Sequence, residues 1–74
     1  MADYKLDALG QRCPIPIINA KKIIKKMKIG ETLEIIADDM GAKADVPALV
    51  KKTGDTLVEF KEEGEKLIFL VKKN

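Results

Sequence analysis

Near the C-terminus five apolar residues run without a break: Leu67, Ile68, Phe69, Leu70 and Val71. A short apolar run that includes β-branched and aromatic residues reads as a strand. Leu67, Phe69 and Val71 point to one face, Ile68 and Leu70 to the other. A strand that is apolar on both faces belongs inside a sheet, because an edge would leave it open to other chains. The remaining elements have to be arranged around it.

Tyr4, Leu6 and Ala8 alternate with Lys5 and Asp7, which predicts a first strand. Leu9 to Arg12 is a loop in which Gly10 supplies conformational freedom. Ile17, Ala20, Ile24 and Met27 then recur at helical spacing, with Ile23 on the same side and Lys21, Lys22, Lys25 and Lys26 opposite; Gly30 is the expected stop. Thr32 to Ala37 reads as a second strand, with Leu33, Ile35 and Ala37 on one face. Asp38 to Gly41 is a loop. A second helix is expected from about Asp45 to Lys52, capped by Asp45, with Pro47 in its first turn and Gly54 at its end. A start capped by Asp39 is the rival, and it would make Pro47 interior and kink the helix. Leu57 to Lys61 and Leu67 to Val71 are the last strands, joined by a Glu62–Glu65 hairpin turn with Gly64 at a positive φ. Two helices cannot cover both faces of four strands. The β-α-β-α-β-β order therefore predicts an α+β, two-layer sandwich, with residues 1–74 as one domain.

At 46% hydrophobic residues the chain is expected to fold, and its net charge of +2 gives no global attraction to nucleic acid or membranes. Arg12 is the single arginine, which disfavours bidentate phosphate recognition. No apolar run is long enough for a membrane span and no signal-peptide pattern opens the chain, so a soluble cytoplasmic domain is expected. One cysteine cannot close an internal disulfide.

That cysteine, Cys13, stands in Cys13-Pro14-Ile15-Pro16, directly before the helical pattern. With Cys13 as N-cap, Pro14 is the first helical residue and Pro16 the third, leaving the N–H groups of Ile15 and Ile17 near the sulfur. A helix N-terminus favours an anion, and the thiolate is the reactive form, so a lowered thiol pKa is expected, with help from Arg12. The alternative is a small buried hydrophobe. The chain has no histidine and no Cys-x-x-Cys, so it lacks an imidazole base, a dithiol cycle and a zinc site; neither metal nor cofactor is expected. A lone activated thiol can still attack an electrophilic sulfur and keep it, since no second thiol in the chain can displace it.

The segment Asp7-Ala8-Leu9-Gly10-Gln11-Arg12-Cys13-Pro14-Ile15-Pro16 resembles the hallmark of the TusA/SirA family of small sulfur carriers, including its Cys-Pro-x-Pro core. Gly30-Glu31-Thr32-Leu33 with Ile36-Ala37-Asp38-Asp39 is similar to the family's second-strand region, and Asp45-Val46-Pro47 resembles the start of its second helix. The resemblance implies a mixed sheet in order 1-2-4-3 with both helices on one face, an arrangement similar to the C-terminal domain of a translation initiation factor. It also implies that Cys13 carries sulfane sulfur as a persulfide. The donor would be a cysteine desulfurase, a rhodanese or a thiosulfate-handling membrane protein. The sulfur would go toward tRNA thiolation, cofactor biosynthesis or sulfur oxidation. Some relatives have a second cysteine in the second helix, near Val50 here, and some have proline where this chain has Met40.

On this reading Pro14, Ile15, Pro16, Ile17, Arg12 and Gly10 activate and present the thiol, with Gln11 beside it. Asp38 and Asp39 follow the second strand as Cys13 follows the first, so parallel strands would bring both loops to one sheet edge. There the carboxylates would dock a partner or move a proton; capping and solvation are the simpler roles. Lys21, Lys22 and Lys25 would face an acidic partner or RNA, or only water. Ile36, Ile68 and Leu70 would form an apolar patch on the helix-free face, unless Lys and Glu stems cover it. The sulfur carrier has two rivals: a non-catalytic RNA- or ribosome-binding module, and a regulatory or selenium-related member of the same family whose thiol senses.

Overall fold

The computed structural model describes residues 2–12 and 14–74. Strand β1 (Tyr4–Ala8) leads to helix α1 (Ile15–Lys26), strand β2 (Thr32–Ala37), helix α2 (Ala42–Thr53) and the hairpin of β3 (Thr56–Glu63) and β4 (Lys66–Lys72). The sheet order is β1-β2-β4-β3. β1 and β2 are parallel, from Tyr4 beside Leu33 to Ala8 beside Ala37. β4 is antiparallel to both neighbours, with Phe69 opposite Ile35 of β2 and Phe60 of β3. The run from Leu67 to Val71 thus lies inside the sheet, as its two apolar faces require.

One face of the sheet carries the helices. Leu33, Ile35, Ala37, Leu67, Phe69 and Val71 are fully buried there against Ala20, Ile24 and Met27 from the α1 side and Ala42, Val46, Leu49 and Val50 of α2. Each large side chain so buried contributes about 1.5–3 kcal/mol. On edge strand β3 the register slips by one at Val58, and Phe60 stacks on Phe69 with ring centroids 4.9 Å apart. On the helix-free face Ile36, Ile68 and Leu70 are only half-buried. Glu34, Glu59, Lys61 and Glu63 border Ile68 and Leu70, and ion pairs join Lys5 to Glu34 and Lys61 to Glu59. Charged stems therefore flank this strip.

The elements differ from expectation at three helix boundaries. α1 has Pro14 as N-cap and Ile15 as its first residue, so Pro16 is second and not third. Its C-cap is Met27 in an extended conformation; Gly30 lies in the following turn, where its N–H donates to the carbonyl of Lys73 at 2.8 Å. α2 starts at Ala42 and not near Asp45, which falls within its first turn, and Pro47 is interior. The earlier start buries Ala42 one turn ahead of Val46 on the core face. Pro47 withholds an N–H from the carbonyl of Lys43, a residue on the exposed side. The helix ends as expected at Gly54, whose φ of +81° suits a residue without a side chain.

Candidate functional site

Because β1 and β2 are parallel neighbours, the β1–α1 and β2–α2 loops leave the same end of the sheet. Gly10, Gln11 and Arg12 from the first loop and Asp38, Asp39 and Met40 from the second line a polar hollow of about 410 Å³. The two loops are tied together. The Gly10 N–H donates to both carboxylate oxygens of Asp38, at 3.0 and 3.1 Å. Gly10 can present its amide this way at φ +78°, which a residue with a Cβ adopts only under strain. Within the first loop, the Leu9 N–H donates to Asp7 Oδ1 at 3.1 Å and the Gln11 N–H to the Ala8 carbonyl at 3.2 Å.

Cys13, the residue on which the sequence expectation centres, lies outside the described residues. Its chain neighbours are described. The Ile15 N–H donates to the Arg12 carbonyl at 2.9 Å, and the helical ladder opens with the Ile18 N–H on the Pro14 carbonyl at 3.0 Å. Ile15 is therefore not one of two spare donors, as the sequence suggested. Pro14 and Pro16 have no N–H, so few amides of the first turn remain to point at an anion. A helix end of this kind contributes about 0.3–1 kcal/mol to a neighbouring anion. Pro16 has a second use: it is buried in line with Ala20 and Ile24, which roots the start of α1 in the core.

Asp39 does not act as the helix cap. Its Oδ1 accepts the Gly41 N–H at 3.2 Å and its carbonyl the Ala42 N–H at 2.9 Å, so it shapes the turn that enters α2. Lys21, Lys22 and Lys25 are exposed on α1, away from the hollow. Lys21 instead lines a groove between the helices, with Ile17, Ile18, Asp45, Ala48, Leu49, Lys52 and Thr53.

Sequence patterning missed two features of this end. One is the cross-loop use of Asp38, a contact between residues 28 apart that has no local signal. The other is a group of exposed apolar residues around the loops: Leu9, Ile15, Ile18 and Met40 are each about two-fifths to one-half exposed. The isoleucines carried a signal, since they fall on α1 outside its core-facing positions.

The family model of sulfurtransferase TusA matches residues 4–73. The sulfur carrier protein TusA of Allochromatium vinosum is 49% identical over the full length of both chains. A chain of Archaeoglobus fulgidus is 45% identical, with 92% of this chain and 90% of that one aligned. Among solved structures, a SirA-like protein of Desulfitobacterium hafniense superposes with a TM-score of 0.83 over 93% of this chain and 95% of its own; at 24% identity it bears on the fold alone. A match that runs through every strand and helix, with full-length relatives close to half identical, places this chain in the TusA family of sulfur carriers.

Proposed function

We propose that this protein relays sulfane sulfur as a persulfide on Cys13. The reading rests on the chemistry left to the chain: one thiol, no histidine, and a position two residues before a helix that starts at Ile15. The observation that carries it furthest is the bond from Gly10 to Asp38, which fixes the loop leading to that thiol against the end of β2. In the transfer, the Cys13 thiolate attacks the outer sulfur of a donor persulfide. A new S–S bond forms on Cys13, the donor's S–S bond breaks, and its electron pair leaves on the donor thiolate. No outside oxidant or reductant is needed. Arg12 favours the thiolate by charge, and Pro14, Pro16 and Ile17 hold the turn that presents it.

A cysteine desulfurase, a rhodanese or a thiosulfate-handling membrane protein fits as donor. An enzyme of tRNA thiolation, cofactor synthesis or sulfur oxidation fits as acceptor. The chemistry needs a reduced thiol, and a reducing compartment such as the cytoplasm suits it.

The test is a pre-steady-state measurement with a cysteine desulfurase and excess cysteine, without reductant. The wild-type protein should produce a burst of alanine equal to its own molar amount as each Cys13 accepts one sulfur. Cys13→Ser should leave only the alanine that the desulfurase releases in loading its own cysteine. A burst of equal size with Cys13→Ser overturns the reading.

A further inference from the structure

Charge is segregated in this molecule. The two helices carry seven lysines and one acid, Asp45. All the remaining residues together carry seven basic and eleven acidic side chains. A net charge near zero therefore conceals a basic helical layer over an acidic remainder. The groove between the helices, about 570 Å³, lies in that basic layer. Ile17, Ile18, Ala48 and Leu49 supply its apolar lining, with Lys21 and Lys52 beside them and Asp45 as the one carboxylate against two ammonium groups. Ile18 is 48% exposed and Ile15 49%, three residues apart on one side of α1. They carry apolar surface from the groove to the first residue of the helix, about 4.5 Å further along its axis.

We infer that this groove seats an acidic, amphipathic protein segment, with its apolar side chains on Ile17, Ile18 and Leu49 and its carboxylates against Lys21 and Lys52. Nucleic acid fits less well. Neither helix has an aromatic residue to stack on a base or an arginine to clasp a phosphate, and an apolar floor gives nothing to a phosphodiester backbone. Two copies of this chain do not pair through the groove, because two identical basic surfaces repel. A second copy seated by its acidic helix-free face would shift the groove amides with rising protein concentration in the absence of peptide, and that result overturns the inference. The inference rests on the relay reading and names its partner class. A donor or acceptor that presents such a segment is held beside the loop of Cys13, and charge steers the encounter.

The test uses the full chain, isotopically labelled, and amide NMR titration with a synthetic helical peptide bearing leucines on one face and glutamates on the other. The same peptide with lysine in place of glutamate and an oligouridylate RNA are run in parallel. The acidic peptide should shift amides of Ile17, Ile18, Ala48, Leu49 and Lys52. Binding should weaken about tenfold in Lys21→Glu/Lys52→Glu and by a smaller factor in Lys21→Gln/Lys52→Gln, and it should weaken with added salt. Retained signal dispersion shows that each variant is folded. No shift with the acidic peptide, shifts confined to the helix-free face, equal binding of the RNA or the lysine peptide, or indifference to both variants overturns the inference. Sulfur loading of Cys13 by inorganic polysulfide, read by mass in the same samples, is independent of the groove. A failure of the relay reading is thereby told apart from a failure of the docking reading.

Discussion

Removing the Asp38 carboxylate should loosen the loop that leads to Cys13 while leaving the sheet in place. Asp38 accepts the Gly10 N–H with both oxygens and makes the link between the β1–α1 and β2–α2 loops. A hydrogen bond to a charged group is worth about 1.5–3 kcal/mol, and the exposure of Asp38 brings that to about 1 kcal/mol. For a domain of this size, 1 kcal/mol corresponds to a fall in Tm of about 4–8 °C. Asp38→Ala should show that fall, and Asp38→Asn, which keeps one acceptor oxygen, about half of it. The Gly10 amide should exchange faster in both. If the loop must be held for productive attack, the same 1 kcal/mol slows sulfur loading about fivefold. Asp3 provides the control. Its carboxylate accepts the Thr32 N–H at 2.9 Å, at the opposite end of the same pair of strands. Asp3→Ala should lower Tm by a similar amount and leave loading unchanged. Equal slowing in the Asp3 and Asp38 variants, or unchanged Gly10 exchange in Asp38→Ala, would refute the positioning argument.

Two further outcomes follow from the fold. Pro47 occupies the interior of α2 and denies the Lys43 carbonyl a partner, so Pro47→Ala should raise stability by about 1 kcal/mol in urea unfolding; a loss of stability would show that the ring's packing outweighs the missing bond. On the helix-free face, Glu59 raises the pKa of Lys61 above its ordinary 10.5, first through the hydrogen bond and then through charge. The pair's contribution is whole below the ordinary lysine value and is lost as pH climbs through the raised one. Glu59→Gln should return the NMR titration of Lys61 toward 10.5, and an unmoved midpoint contradicts the assignment.

How far the sequence spoke for itself differs from element to element. β4 was legible because an apolar run without polar relief has one stable place, the sheet interior; the order β1-β2-β4-β3 came from the family resemblance and agrees with that place. β2 was legible residue for residue because Leu33, Ile35 and Ala37 recur at period two between Gly30 and the Asp38-Asp39 pair. The start of α2 was misread because Asp45 and Pro47 together imitate a helix opening. The earlier start buries Ala42 one turn before Val46, and an alanine gives little hydrophobic signal. At the site, the placement of both loops at one sheet edge was foreseeable from parallel β1 and β2. The partner of Asp38 was not, since a carboxylate after a strand caps, solvates or bridges with equal local logic. The groove needed both helices in place, as its lysines come from two segments that pattern reading treats separately.

The central claim is that the sulfur sits on Cys13. Peptide-resolved mass spectrometry after loading by a cysteine desulfurase measures this directly. The account predicts one added sulfur atom on the peptide containing Cys13, removed by dithiothreitol and absent from Cys13→Ser. A Cys13 peptide of unchanged mass, in protein that a control carrier shows should be loaded, would contradict it.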